Sequence, residues 1–474
     1  MSKEQVAIIG GGPVGLTAAA QLAARGQQFV VLEAGGEVGA AVRQWGHVST
    51  FSPWRYMVDR TARGLLETNG WRAPKDDVLP TGNELVDGYV VPLATHPAIA
   101  SHLRLNARVT AVGRKDFDKV RTKGRDQQPF ELHLASGEVV EARAVIDASG
   151  TWSRPNPAGS SGLAVPGERE FGSRISYGIP DVLGAVRARF AGKRTVIVGS
   201  GHSAINVVLD LLSLGEQVRG TEIRWVMRKE NLNAVWGGGS ADALEARGLL
   251  GTRAKQAVEA GRLRVLSPYR IRSISTPGSA LEITGVMNGE VSTIAADEMI
   301  VATGFRPDLD MLKEIRLSMD PWLECATTLG PLIDPNEHSC GTVRPHGARE
   351  LAHPEKDFFI VGMKSYGRAP TFLLATGYEQ ARSVVARLSG DIAASERVEL
   401  ELPETGVCST TASVDGAAGC CGGPAPKGVE ACCVQDADAK STGDEGCGCG
   451  TPAPPQLLQI GGTPRRSRGA PSAQ

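Results

Sequence analysis

The apolar and polar positions at the start of the chain predict a strand, a turn, a helix and a second strand. Residues 6–9 are an apolar run, Val-Ala-Ile-Ile, that leads into the glycine-rich residues 10–15. An Ala- and Leu-rich segment with helical spacing continues to about Arg25, Gly26 ends it, and residues 29–32 return to an apolar strand pattern. This order of elements is typical of a βαβ unit.

The same order occurs a second time farther along the chain. Residues 195–198 are apolar, residues 199–204 read Gly-Ser-Gly-His-Ser-Ala, a helical pattern runs to about Leu214, and residues 223–227 form another strand pattern. The two units are about 190 residues apart, which indicates two nucleotide-binding domains rather than a short repeat array.

The segments between and after these units also have recognisable patterns. Residues 103–112 and 130–147 alternate as strands do, with a hairpin turn at Ser136-Gly137. Residues 145–150 read Val-Ile-Asp-Ala-Ser-Gly, and residues 299–304 read Met-Ile-Val-Ala-Thr-Gly in matching fashion. The fold class predicted is therefore α/β, with two Rossmann-like domains.

The C-terminal part of the chain contains a segment that is predicted to fold and a segment that is predicted to be disordered. Residues 357–362 predict one more buried strand, and residues 376–389 predict an amphipathic helix. No aromatic residue follows Tyr378, and from about residue 402 the chain is mainly Gly, Ala, Pro, Ser, Thr and Cys. Such a composition buries too little surface to become ordered, so we expect residues 402–474 to be a disordered tail.

The charge and the apolar content of the chain exclude several classes of function. The 474 residues carry 51 Lys plus Arg against 52 Asp plus Glu, a net charge of −1, which argues against a nucleic acid or an anionic membrane as partner. No apolar run approaches about 18 residues, so no membrane span is expected. The chain starts MSKEQ and enters a strand pattern at once, which leaves no room for a signal peptide and predicts a cytoplasmic protein.

Cysteine is distributed unevenly. Of nine cysteines, only Cys325 and Cys340 precede residue 400, and seven fall between residues 408 and 449. A fold held by disulfides would spread them through the body of the chain, so the body is expected to be a reduced, cytoplasmic-type fold.

The first glycine pattern has the context that dinucleotide binding requires. Gly10, Gly12 and Gly15 follow a strand and open a helix, and Glu33 ends the next strand. The glycines allow a tight turn and a close approach of the backbone to a pyrophosphate, and the acid can accept hydrogen bonds from the ribose hydroxyls. A glycine-rich turn without a ligand is the alternative.

The second pattern, Gly199, Gly201 and Ala204, is followed by the cations Arg228 and Lys229 rather than by an acid. A cation at this position accepts a 2′-phosphate, which favours NADPH over NADH. Two ordinary solvated charges are the alternative. Ser203 lies at the start of the same helix and is a further candidate for phosphate contact.

These motifs, their order and their spacing resemble the flavoproteins with two dinucleotide-binding domains over residues 1 to about 395. This superfamily includes flavin-containing monooxygenases, Baeyer–Villiger monooxygenases and thioredoxin reductases. The resemblance implies an FAD-binding domain at residues 1–165 and 310–398, discontinuous in sequence, and an NADPH-binding domain at residues 166–309. It also implies that the flavin ring is covered by Arg43, Gln44, Trp45 and Trp54, with a core position for Trp45 as the alternative.

Two departures from these families favour a monooxygenase, and one weakens that assignment. Residues 1–324 contain no cysteine, so a dithiol beside the flavin is missing from them. The last strand ends in Gly362-Met363-Lys364 and not in the Gly-Asp of many reductases. Residues 171–177 lack the histidine of the flavin-containing monooxygenase segment, which weakens that subtype.

The cysteines of the tail suggest a soft metal or metalloid. Adjacent thiolates on a flexible chain can converge on one thiophilic ion, and their spacing differs from that of zinc folds. They resemble those of metalloid-binding proteins of bacterial arsenic operons, and the whole architecture resembles flavin monooxygenases associated with arsenic resistance. The alternative is an oxidisable tail without a ligand. The candidate ligands are Cys408, Cys420, Cys421, Cys432, Cys433, Cys447 and Cys449.

The function expected from the resemblance is an FAD- and NADPH-dependent monooxygenase acting on trivalent arsenicals or another soft nucleophile. The flavin would activate oxygen as a C4a-hydroperoxide, and no side chain is singled out as catalytic. The expected partners are a small-molecule or metalloid substrate and O2, and a homodimer is possible. Two alternatives remain: an NADPH-dependent reductase that delivers electrons to a disulfide or metalloid on the tail, and a protein that only sequesters metalloid.

Overall fold

The computed structural model describes residues 4–230, 232–236, 245–336, 346–370 and 372–400. The structure has strands in each of the stretches predicted as strands, which are residues 6–9, 29–32, 103–112, 130–147, 195–198, 223–227 and 357–362. The strands at residues 175–177, 264–266, 269–275, 281–287 and 290–296 were not predicted. In chain order the strands are β1 (Val6–Ile9), β2 (Phe29–Leu32), β3 (Leu103–Arg104), β4 (Val109–Arg114), β5 (Phe130–Leu134), β6 (Val139–Ala142), β7 (Ala144–Asp147), β8 (Ile175–Tyr177), β9 (Arg194–Val198), β10 (Glu222–Val226), β11 (Arg264–Leu266), β12 (Tyr269–Ser275), β13 (Leu281–Met287), β14 (Glu290–Ala296), β15 (Glu298–Val301) and β16 (Phe358–Ile360).

The helices include the three that the periodicity predicted after the two glycine turns and near the end of the body. A π-helix at Val86–Val90 joins two of the short helices. In chain order the α-helices are α1 (Pro13–Ala24), α2 (Ala40–Arg43), α3 (Arg60–Thr68), α4 (Gly82–Leu85), α5 (Val91–Thr95), α6 (Pro97–Ala100), α7 (Arg187–Phe190), α8 (His202–Gln217), α9 (Glu245–Glu259), α10 (Gly330–Ile333), α11 (Leu374–Leu388) and α12 (Ile392–Glu396).

Two five-stranded parallel sheets organise the described residues. The first has the order β16-β7-β1-β2-β3, and the second has the order β11-β10-β9-β15-β8. Each is accompanied by a three-stranded antiparallel sheet, β4–β6 and β12–β14 respectively. The predicted α/β class with two Rossmann-like units is confirmed, whereas the predicted domain boundaries stay predictions.

The alternation of side chains along each central strand explains the layering. In β1, Val6 and Ile8 pack against α1 and α11 on one face, and Ala7 and Ile9 pack toward the β4–β6 sheet on the other. Strand β9 of the second sheet has the same arrangement. Ile197 packs against the helices α8 and α9 on one face, and Val196 and Val198 pack against the β12–β14 sheet on the other. Because both faces are covered, these strands are continuous apolar runs.

Two connections cross between the sheets and pair with each other. After β7 the chain passes through residues 148–157, and after β15 it passes through residues 302–306. The amide of Asn156 donates to the carbonyl of Gly304 at 2.9 Å, and the amide of Arg306 donates to that of Arg154 at 3.0 Å. The crossings therefore form a short antiparallel link that fixes the carboxyl ends of both sheets near each other.

Candidate dinucleotide sites

The turn after β1 is built so that two of its positions accept only glycine. Gly10 has φ +105°, and a Cβ atom there would lie 2.8 Å from the carbonyl oxygen of Ala148. A Cβ atom at Gly15 would lie 2.0 Å from the carbonyl oxygen of Gly10, because α1 starts directly above the turn. These glycines thus set the close approach of helix to strand.

Gly12 differs, because no atom lies within 4 Å of the position that its Cβ would take. It is the N-cap of α1, it has φ −82°, and no side chain caps the helix. The first amides of α1 therefore face open space, which is where a pyrophosphate binds to a helix N-terminus. The residues present fit the phosphates of a dinucleotide.

Glu33 follows β2 and closes the turn from the other side. Its two carboxylate oxygens accept hydrogen bonds from the amide of Gly11, at 2.6 Å, and from that of Gly35, at 2.7 Å. Each carboxylate oxygen can accept a second hydrogen bond. The carboxylate is therefore held by the backbone and keeps acceptor capacity for ribose hydroxyls.

The second turn repeats this construction with one difference. Gly199 has φ +135°, and a Cβ there would lie 2.3 Å from the carbonyl oxygen of Ala302. Gly201 is the uncapped N-cap of α8 and, like Gly12, has open space beside it. Ala204 is fully buried and tolerates its methyl group, whereas Gly15 does not tolerate one.

The remaining predicted contacts of the second site lie around this turn. Ser203 is half-buried in the first turn of α8, beside Gly201. Arg228 lies two residues beyond β10, is exposed, and donates from Nη1 to the carbonyl oxygen of Ser160 at 3.0 Å. Burial lowers the pKa of the neighbouring Lys229, and the positive charge of Arg228 lowers it further.

The residues predicted to cover the flavin ring have different surroundings in the structure. Arg43 forms ion pairs with Asp87 and Glu37, and the hydrogen bond that it donates to Asp87 is the main cause of its raised pKa. Trp45 is half-buried against the helical core, and a Cβ at Gly82 would lie 2.9 Å from its ring. A contact of either side chain with the flavin stays a prediction.

Gln44 reaches the crossings between the two sheets. Its Oε1 accepts a hydrogen bond from Nε1 of Trp152 at 2.7 Å, and the Trp152 ring stacks on Phe305 with 4.3 Å between centroids. Seven residues after Gln44, Phe51 packs edge-on against His202 at the start of α8. This segment therefore contacts both the first crossing and the N-terminus of α8.

Sequence reasoning missed a buried ion pair beside the first site. Nζ of Lys364 donates to Oδ2 of Asp147 at 2.7 Å and to Oγ of Ser149 at 3.1 Å, and both charged side chains are almost completely buried. Asp147 ends β7, directly before the residues that contact Gly10. An acid at the end of an apolar strand and a lysine in the turn after β16 were the signals available.

The described residues contain one cysteine, Cys325, and no cluster of three or more metal-ligating side chains. Cys325 is buried, and this burial raises the pKa of its thiol to about 12. The predicted metalloid ligands all lie in residues 401–474, outside the described residues. They are Cys408, Cys420, Cys421, Cys432, Cys433, Cys447 and Cys449.

Comparison with known proteins identifies the family. Residues 7–328 match the family described as pyridine nucleotide-disulphide oxidoreductase, and the chain belongs to this family. The expectation of FAD and NADPH as cofactors is thereby confirmed. A ferredoxin–NADP reductase from Thermus thermophilus is 25% identical over 343 residues, which cover 71% of this chain and 84% of the relative.

Solved structures share the fold. Bacillithiol disulfide reductase from Staphylococcus aureus aligns with a TM-score of 0.61 and 18% identity, covering 82% of this chain and 99% of its own. A flavin monooxygenase from Stenotrophomonas maltophilia aligns with a TM-score of 0.52 and 21% identity, covering 81% and 98%. The chain is thus a flavin-dependent oxidoreductase whose fold is shared by reductases and monooxygenases. None of the described helices is long and apolar enough to span a membrane.

Proposed function

We propose that the chain is an NADPH-dependent flavin monooxygenase whose substrate is a soft nucleophile, with trivalent arsenicals as the substrate class. The observation that carries this proposal concerns thiols. No cysteine precedes Cys325 in the sequence, and the thiol of Cys325 is buried with a pKa of about 12. A reductase that passes electrons through a dithiol needs reactive thiolates beside the flavin, and the described residues offer none.

Bound FAD supplies the redox chemistry, since it accepts a hydride from NADPH and reduces O2. The residues of this chain bind and position the two dinucleotides. The N-termini of α1 and α8 hold the two pyrophosphates, and Glu33 holds the ribose of FAD. The rings of Trp152 and Phe305 lie just beyond β7 and β15 and stack on each other, so that they place an apolar surface beside the two sites.

The reaction balances without a catalytic side chain. Substrate, O2, NADPH and a proton give the oxygenated substrate, NADP+ and water, so that arsenic(III) is oxidised to arsenic(V) while NADPH supplies two electrons. The tail would raise the local concentration of substrate, because its seven thiols can coordinate thiophilic arsenic. The arsenical class rests on these thiols and on the resemblance described above.

An NADPH-dependent reductase is the second candidate, supported by the ferredoxin–NADP reductase relatives. In this case the electrons would pass from FAD to a disulfide or metalloid held by the tail. A metalloid-sequestering protein is the third candidate, in which the flavin would be dispensable.

Parallel measurements of NADPH oxidation and O2 uptake, with speciation of the products, separate these candidates. Arsenite, methylarsenite and antimonite are each added under air and under argon to the purified, FAD-loaded chain. We expect that oxidation of NADPH requires O2, that the trivalent compound is converted into a pentavalent product, and that one NADPH is consumed per product. If NADPH were oxidised as fast under argon as under air, and the added arsenic or antimony compound were reduced, the chain would be a reductase. A protein that purifies without flavin and binds metalloid would establish sequestration.

A further inference from the structure

A β-turn at Gly159–Gly162, directly after the first crossing, contacts Arg228 of the second nucleotide site. The amide of Gly162 donates to the carbonyl oxygen of Gly159 at 3.0 Å, which places Ser160 and Ser161 at the corners of the turn. The amides of Ser160 and Ser161 donate to no acceptor in the described part of the chain. The turn therefore presents two N–H donors and two hydroxyl groups.

Three arginines from three different parts of the chain surround this turn. Arg228, beyond β10, donates to the carbonyl oxygen of Ser160 at 3.0 Å. Arg306, beyond β15, donates from Nη2 to the carbonyl oxygen of Gly162 at 3.2 Å. Nη2 of Arg368 would lie 3.5 Å from a Cβ atom at Gly162, so that it borders the same turn.

Within the described part of the chain, Arg228 and Arg306 pair with no carboxylate. The partners of Arg228 and Arg306 among the described residues are uncharged: two backbone carbonyls and the side-chain oxygen of Asn156. Arg368 has one carboxylate, that of Glu324, at 3.9 Å. Guanidinium groups that meet only carbonyls, next to unused amides, are the donor set that binds a phosphate.

We propose that the Gly159–Gly162 turn, together with Arg228 and Arg306, binds the 2′-phosphate of NADPH. The proposal rests on the NADPH site described above and deepens it. Arg228 lies just beyond the second strand of the βαβ unit, where the ribose of a dinucleotide binds, and it already contacts the turn. The turn would thus help the chain to select NADPH over NADH, although it lies outside both glycine patterns.

Calorimetry on the FAD-loaded chain with 2′,5′-ADP and with 5′-AMP tests this proposal, because the two probes differ only in the 2′-phosphate. Arg306→Gln removes a charge but keeps a side chain that can bond to Asn156. We expect it to weaken 2′,5′-ADP by about tenfold or more and 5′-AMP by less than about twofold. Arg306→Lys keeps the charge and should lose less than about threefold.

Arg154→Gln is the matched control, because Arg154 lies in the crossing just before the turn but is already paired with Asp308 and Asp310. It should leave both affinities unchanged. Equal weakening of both probes by Arg306→Gln would overturn the proposal, since it would reveal a displaced turn and not a lost phosphate contact.

Inorganic phosphate distinguishes the 2′-phosphate from other phosphates. It should weaken the binding of 2′,5′-ADP more than that of 5′-AMP in the wild type, and this difference should disappear in Arg306→Gln; an equal effect on both probes in the wild type would overturn the proposal. A wild-type chain that binds both probes equally well would contradict NADPH as the preferred cofactor, and the turn proposal would fail with it. Preserved selectivity in Arg306→Gln would refute the turn proposal alone.

Discussion

Replacing Lys364 by Met isolates the contribution of the buried ion pair beside the first nucleotide site. The side chain of Lys364 is 1% exposed, and that of Asp147 is 0% exposed. Oδ1 of Asp147 also accepts hydrogen bonds from the amide and the hydroxyl of Ser149. Methionine fills much of the volume of lysine, so the variant leaves a buried carboxylate that has lost its cation.

The expected loss is large because the charge has no access to water. Removing one partner of a buried ion pair costs about 3–5 kcal/mol, most of it the penalty for the charge that remains. Neutralising that charge as well should recover a large part of the loss. We therefore expect the double variant Asp147→Asn with Lys364→Met to be more stable than Lys364→Met alone by about 2 kcal/mol or more.

Urea unfolding followed by far-UV circular dichroism measures these differences, and absorbance of the flavin measures FAD content. Lys364→Met should also purify with less FAD, because Asp147 precedes the residues that contact Gly10. Lys356→Met, at an exposed lysine before β16, should behave as the wild type. A loss below about 1 kcal/mol for Lys364→Met, or no recovery in the double variant, would refute the reasoning.

Three further predictions concern the rest of the chain. Burial alone would raise the pKa of Glu355, but hydrogen bonds from Arg125 and Arg114 outweigh it and hold that pKa below its usual value of 4.5. Its contribution to stability is therefore lost as the pH falls below about 4.5, and acid titration of Glu355→Gln should give a flatter curve than that of the wild type. Gly12→Ala should fold normally but purify with little FAD, whereas Gly201→Ala should stay yellow and be reduced slowly by NADPH in stopped-flow absorbance. The reverse assignment would show that the two sites are exchanged. Truncation after residue 402 should preserve FAD content, because it removes seven of nine cysteines but no aromatic residue, and equilibrium dialysis should detect much weaker binding of trivalent arsenic. Unchanged binding would exclude the tail as the site.

The sequence predicts the two βαβ units well because their determinants are local. The apolar run of β1, the glycine turn after it and the start of α1 all lie within residues 6–15, and each needs only its neighbours. The same holds for β9, α8 and β10. The positions of Gly10, Gly15 and Gly199 follow from φ values and close contacts that only glycine accommodates.

The features that sequence reasoning missed depend on residues that are far apart in the chain. Lys364 and Asp147 are separated by 217 positions, and Arg228 and Ser160 by 68. No periodicity reports such pairs, because either residue alone has the pattern of an ordinary surface charge or turn. The short helices between residues 54 and 100 were missed for another reason, since their segments are too short to establish a period.

The order of strands in the first sheet has a consequence for the synthesis of the protein. Strand β16 is an edge strand that pairs with β7, yet more than two hundred residues are translated between them. The five strands of the second sheet all lie within residues 175–301, so this sheet can close while the first still lacks its edge. A nascent chain that has not reached residue 358 leaves the carboxylate of Asp147 without Lys364 and one side of β7 without a neighbour. The first sheet therefore gains its outer strand, and Asp147 its cation, only after residue 364 has been synthesised.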